Sequence, residues 1–228
     1  MIEIDVIQGR IQVPRTYRYA SLGRPNGAEE LWYVLHGYGQ LASRFLRSFA
    51  PVATPDRLLV APEGLHRFYL DPPSRPAAER RVGVSWMTRE DRDTDIADYV
   101  RYLDQLHDTL APAGAAAPVV LGFSQGVATA ARWAVLGAVR PAALVLWGSP
   151  LPPDLDWPRA AERLAGCEVI LVAGDEDPAF PPEQVEAEIG RLIEFGIAHH
   201  VVDYAGGHRI EPEALGLVER TLEKLQME

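Results

Sequence analysis

The chain has 228 residues, 47% hydrophobic and 24% charged, which is enough apolar material for the core of one α/β domain or two small ones. A formal net charge of −10 argues against nucleic acid or an anionic membrane surface as the main partner. The lone cysteine, Cys167, excludes an intrachain disulfide, and its setting "GCEVILVAG" reads as inert core at the head of a buried strand.

Residues 2–7 ("IEIDVI") alternate apolar and polar as a half-buried strand does, and a second short strand is expected at 16–21. The opening stretch lacks a basic patch followed by an apolar run, so no signal peptide is read. No apolar run nears the roughly 20 residues that cross a bilayer. A cytoplasmic protein without stable membrane insertion is expected.

"ELWYVLHGYG" is a compact apolar run that ends in His36-Gly37, a buried strand feeding a loop. A helix is expected at 42–53, and "DRLLVAPEG" reads as another strand, stopped by Pro62 and Gly64. From Leu65 to about Glu90 periodicity fails among prolines 72, 73 and 76 and several arginines, so an irregular active-site loop is expected at about 65–90. "DRDTDIADYVRYLDQLHDTL" (91–110) spaces Ile96, Tyr99, Val100, Leu103, Leu106 and Leu110 as one helical face, with acidic residues at its positive end. Strands at 118–122, 142–147, 168–173 and 199–203 then alternate with helices at 125–137, 182–195 and 212–226, with two strands in succession at 142–173. Apolar strands alternating with helices imply a mostly parallel sheet covered on both faces. The fold class is therefore α/β, a single three-layer α/β/α domain over 1–228.

"GFSQG" places Ser124 where a strand gives way to a helix. Ligands and chemistry collect at that edge of a parallel sheet. A serine presented there needs a sharp, strained turn, and side chains two residues to either side would collide with neighbouring elements. Gly122 and Gly126 meet that demand, and Ala128, Ala130 and Ala131 let the helix approach the sheet. This is the pattern of a nucleophile elbow.

A hydroxyl attacks only if a base takes its proton, and the base needs a third group to hold its tautomer. "VILVAGDEDPAFPPE" ends a strand in an acidic turn, and "HVVDYAGGHRIEPE" ends the next with His208 after two glycines. His208 is the expected base and Asp177 the expected acid, with Asp175 and Asp203 as rivals in the same chain order. His36 and His66 also lie near strand ends, and His107 lies on a helix. His199 and His200 are adjacent in a strand and point to opposite faces, which disfavours joint metal binding. No H-E-x-x-H or C-x-x-C occurs, so a metal mechanism is not expected. The oxyanion formed on attack would meet the backbone N–H groups of Gln125 and of Tyr38 in "HGYGQ".

"LHGYG", "GFSQG", "GDEDPAFP" and "GGH", in that order, resemble the bacterial carboxylesterase, phospholipase and acyl-protein thioesterase family of α/β-hydrolases, from about Leu31 to the C-terminus. The stretch "RFYLDPP" and the later "GVSWMTREDRDTDIADYVRYLD" are similar to a bacterial esterase branch of that family. The resemblance implies an α/β-hydrolase fold, Ser124, Asp177 and His208 as triad, Tyr38 and Gln125 as oxyanion donors, and no cofactor. It also implies carboxylic esters, lysophospholipids or thioesters as substrates. The chain departs from the family pattern at Tyr38, where an aliphatic residue is common, at Gln40, where an acidic one often follows, and at Arg209 after the base.

Phe68, Tyr69, Trp86 and Met87 are the candidate lining of an acyl groove. The expected activity is a serine carboxylesterase acting on small-molecule esters of short to medium chain length, because a basic, proline-rich loop is a poor lid for long lipids. Thioester hydrolysis or lysophospholipase action on the same triad is the alternative. A binding module that merely keeps the fold would have no use for serine, acid and histidine together. Exposed apolar loop residues leave a homodimer open.

Overall fold

A computed structural model of the chain describes residues 6–111 and 116–225. Seven strands form one sheet: β1 (Tyr19–Leu22), β2 (Glu30–Leu35), β3 (Arg57–Pro62), β6 (Val119–Phe123), β7 (Ala143–Trp147), β8 (Glu168–Gly174) and β9 (His199–Tyr204), in the spatial order β1-β3-β2-β6-β7-β8-β9. Only β1 runs antiparallel, against β3; every other pairing is parallel. Two further strands, β4 (His66–Tyr69) and β5 (Val82–Ser85), form a separate antiparallel hairpin.

Period-two alternation decides which residues meet which layer. Along β2, Leu31, Tyr33 and Leu35 face one core while Trp32 and Val34 face the other. The first core is closed by α2 (Arg92–Leu110), α3 (Gln125–Leu136), α4 (Trp157–Arg163) and α5 (Pro182–Glu194). The second is closed by α1 (Ala42–Phe45), the 3₁₀ stretch Leu46–Val52 and α6 (Pro212–Leu225). Burial on both faces explains why the parallel strands are apolar almost throughout. The result is a mostly parallel sheet between two helical layers.

The expected elements recur with four differences. The expected strand at 2–7 lies partly outside the described residues, and its last two, Val6 and Ile7, are exposed and in no strand. The helix at 42–53 turns 3₁₀ from Leu46, with Pro51 lacking the N–H that an α-helix would bond. The loop at 65–90 is not irregular throughout. It contains the β4–β5 hairpin, whose strands pair His66 with Ser85 and Tyr69 with Val82. Helix α4 was not expected. Asp156 caps it by accepting from the Arg159 N–H at 3.1 Å, with Pro158 in its first turn.

The topology itself selects an edge. The chain leaves β2 for β3 on one side, then returns to β6 on the other, so the sheet reverses direction of growth between β2 and β6. A crevice opens at the carboxyl ends of strands where such a reversal occurs. The loop from His36 follows β2 and Ser124 follows β6, so both stand at that crevice.

Candidate active site

Ser124 joins β6 to α3 with φ 54° and ψ −120°, a backbone conformation that L-residues rarely adopt. Its N–H donates to the Trp147 carbonyl at 2.9 Å, which ties the turn to the end of β7. The flanking glycines are required by contact. A Cβ on Gly122 would lie 2.3 Å from the Gly126 carbonyl oxygen, and one on Gly126 would lie 2.2 Å from the Leu35 carbonyl oxygen. With no side chain in the way, α3 starts directly over β2, and the half-buried serine stands at the crevice.

His208 and Asp177 meet at the ends of β9 and β8. His208 Nδ1 lies 2.8 Å from Asp177 Oδ2 and 3.1 Å from Oδ1. An ionised carboxylate only accepts, so this contact favours the tautomer with the proton on Nδ1 and the lone pair on Nε2. Asp177 is buried, and its Oδ1 also accepts from the Ala179 N–H at 2.8 Å, which leaves the carboxylate little freedom. Gly148, at φ +68°, follows β7; a Cβ there would sit 3.0 Å from Asp177 Oδ2 and 3.2 Å from His208 Nδ1. A glycine at the end of β7 thus makes room for the Asp177–His208 pair.

The loop that carries His208 is held from below. Tyr204 Oη donates to the carbonyls of Gly207 (2.8 Å) and Arg209 (3.1 Å) and accepts from Trp147 Nε1 at 3.2 Å. Asp175 is exposed and takes the Gly206 N–H at 2.8 Å, so it braces this loop rather than meeting the imidazole. Asp203 lies on β9 before the loop begins. Phe123, the residue before the serine, packs against the His208 ring at 4.8 Å between centroids. That contact brings the imidazole to the neighbourhood of Ser124.

The turn after β2 spends its donors unevenly. The Gly37 N–H bonds Gln40 Oε1 at 2.8 Å and the Gly39 N–H bonds the Val84 carbonyl at 2.8 Å. Among the described residues no protein acceptor takes the Tyr38 N–H. Gln125 is the first residue of α3, where helix geometry leaves N–H groups without an intrahelical partner and collects partial positive charge. These two N–H groups are available to an anion at the crevice. An ideal Cβ on Gly37 would approach Ser124 Cβ to 3.1 Å, so this turn packs against the serine.

His36 is the other histidine near the site, and its surroundings exclude it as a base. It is fully buried, its Nδ1–H donates to the Gly37 carbonyl at 2.8 Å, and its Nε2 accepts from the Gly64 N–H at 3.1 Å. Desolvation pulls its pKa down to about 4, against a smaller opposing pull from the Gly37 carbonyl and Glu63.

The four residues expected to line an acyl groove have different fates. Trp86 is fully buried, stacks on His36 at 5.0 Å and donates its Nε1–H to the His36 carbonyl at 2.9 Å. It pins the hairpin to the core instead of lining a groove, because its indole N–H needs an acceptor once buried. Met87 is half-buried, with Sδ 3.4 Å from the Arg132 guanidinium. Phe68 packs against the exposed ring of Tyr38 at 5.1 Å, at the rim of the turn after β2. Tyr69 is exposed, with the Arg80 guanidinium 4.5 Å from its ring centre.

The sequence reading missed the second role of Gln125. Its side-chain Nε2 donates to Ser85 Oγ (3.0 Å) and the Met87 carbonyl (3.1 Å), while its Oε1 accepts from the Trp86 N–H at 3.1 Å. The glutamine after the serine therefore clasps the segment that follows the hairpin, while its backbone faces the crevice. Cys167 is buried, with its thiol pushed up by desolvation to about 12, and is inert as expected.

A family model described as phospholipase/carboxylesterase matches residues 27–226, nearly the whole chain. The chain belongs to the phospholipase/carboxylesterase family. Solved structures of similar fold include esterase PE8, at 21% identity over 92% of this chain and 99% of that one, with a TM-score of 0.67. Acyl-protein thioesterase 2 of Zea mays shares 21% identity over 91% and 98%, with a TM-score of 0.69. A phospholipase/carboxylesterase of Dyadobacter fermentans shares 17% over 90% and 96%, with a TM-score of 0.61. At such identities the likeness speaks for the fold. No curated protein matches the chain. As a member of this hydrolase family the chain is expected to act on small molecules, and among the described residues no helix is long and apolar enough to cross a membrane.

Proposed function

We propose that the chain is a cytoplasmic serine carboxylesterase that hydrolyses short- to medium-chain carboxylic esters through an acyl-enzyme. The observation that carries this reading is the 2.8 Å contact of His208 Nδ1 with Asp177, on an imidazole that packs 4.8 Å from the Phe123 ring next to a serine held at φ 54°. Ser124 Oγ attacks the ester carbonyl carbon as His208 Nε2 takes the hydroxyl proton. The carbonyl oxygen becomes an oxyanion that accepts from the N–H groups of Tyr38 and Gln125. The C–O bond to the alcohol then breaks, and the alcohol leaves with the proton held by His208. Water, deprotonated by the same imidazole, attacks the acyl-serine, and the acid is released with Ser124 restored. Asp177 keeps its charge throughout and stabilises the imidazolium. No metal or organic cofactor is required.

Chain-length preference follows from the cover. The hairpin carries the exposed Tyr69 and Leu70 and the arginines Arg67, Arg75, Arg80 and Arg81, a poor match for a long acyl chain. The structural likeness to an acyl-protein thioesterase supports a second reading, thioester hydrolysis by the same groups. Turnover of a p-nitrophenyl ester series from acetate to palmitate, with Ser124→Ala as control, tests the first. The expected optimum lies at short to medium length and vanishes in the variant; an optimum at palmitate would refute the preference. Matched ester and thioester substrates separate the two readings.

A further inference from the structure

We propose that the cleft beside His208 binds a carboxylate carried by the substrate, on either its acyl or its alcohol portion. This narrows the substrate class of the esterase reading and rests on it. The cleft is about 360 Å³ and is lined by Arg44, Arg81, Arg209 and His208, with apolar contact from Phe45 and Leu70. No aspartate or glutamate lines it, in a chain whose net charge is −10. The three guanidiniums come from α1, from the hairpin and from the residue after the base, so local sequence does not explain their meeting.

Their existing partners leave positive charge over. Arg81 bonds Asp71 at 2.9 Å, but Asp71 is shared with Arg75 at 3.5 Å. Arg209 bonds Glu211. Arg44 is exposed and makes no ion pair among the described residues. A guanidinium fork matches a carboxylate in two parallel hydrogen bonds, and Arg44 keeps its fork free of any carboxylate partner among the described residues. The apolar patches suit a short aliphatic spacer between that carboxylate and the reacting carbonyl.

The test compares kcat/KM for two substrate pairs, each a carboxylate against its neutral amide twin. The p-nitrophenyl ester of succinic acid against that of succinamic acid probes the acyl side. Butyryl glycolate against butyryl glycolamide probes the alcohol side. The carboxylate should win by about 10-fold in one pair at low salt, with the ratio falling toward one near 0.5 M salt, where the Debye length shrinks to a few ångströms. Arg44→Glu should abolish or invert that ratio, Arg44→Gln should reduce it, and the remote Arg101→Gln should leave it unchanged. Because the readout is a ratio, a general loss of activity cannot imitate the effect. Amide twins turned over as well as both carboxylates, or a preference that survives Arg44→Glu, would overturn the inference. Failure of all four compounds to react would instead overturn the esterase reading beneath it.

Discussion

The Ser124 turn and the β4–β5 hairpin flank the same crevice and are held by different physics. At the turn, backbone sterics decide: carbonyl oxygens stand 2.2 and 2.3 Å from where a Cβ would be on Gly126 and Gly122, so only glycine fits. At the hairpin, side chains decide. Trp86 hydrogen-bonds the His36 carbonyl, Gln125 clasps residues 85–87, and Asp71 accepts from the Arg81 N–H at 2.6 Å. A restraint made of excluded volume is written in a short local pattern. A restraint made of long-range hydrogen bonds is not.

If that contrast holds, substitutions in the two regions should fail differently. The largest effect is catalytic. Asp177→Asn keeps the shape of the acid but offers His208 a group that no longer favours the working tautomer, and kcat should fall about 10⁴-fold with the fold retained by circular dichroism. Next comes Gly126→Ala, which forces α3 off β2 and should cost about 3 kcal/mol or more in urea melts, with activity lost alongside. An alanine tolerated there at wild-type stability would break the steric half of the comparison.

The seam between the regions should respond to pH. His36 has a folded pKa of about 4 against an ordinary value of 6.5, so between those values the unfolded chain binds the proton and the folded one does not. Its contribution is fully present above about pH 6.5 and is lost as the pH falls toward 4, up to about 3 kcal/mol in all. Urea melts at pH 7 and pH 4.5 should show this loss, and His36→Gln should flatten the difference between the two. The smallest effect belongs to the clasp. Gln125→Ala should cost about 1–3 kcal/mol by unpairing the buried Trp86 N–H, while Ser85 Oγ keeps its 2.7 Å bond to the Met87 carbonyl and the backbone N–H at 125 stays in place. Hydrogen exchange should quicken in residues 82–87 and not in 119–124.

This division also explains which features are legible in the sequence. The parallel strands were legible because burial on both faces makes them apolar throughout, and the elbow was legible because its glycines are neighbours in sequence. Three carboxylates fitted the acid by chain order; only Asp177 proves to meet the imidazole, while Asp175 takes the Gly206 N–H. The hairpin escaped notice because each strand has four residues, separated by prolines 72, 73 and 76 that mask any alternation. An aromatic in a loop, such as Trp86, looks available for a groove, whereas its N–H is spent on the His36 carbonyl. Helix α4 could have been found from Asp156 followed by Trp157-Pro158, a cap and a first-turn proline. That Arg44, Arg81 and Arg209 line one cleft leaves no local trace at all.

The central claim, that the imidazole at 208 turns the hydroxyl at 124 into a nucleophile, is tested most directly by a fluorophosphonate probe read by peptide mass. The account predicts one modified serine, in the peptide spanning Gly122–Gly126, with labelling slowed at least about 10³-fold in His208→Asn and absent in Ser124→Ala. Folded wild-type protein left unmodified at Ser124, or modified equally fast without the histidine, would contradict it.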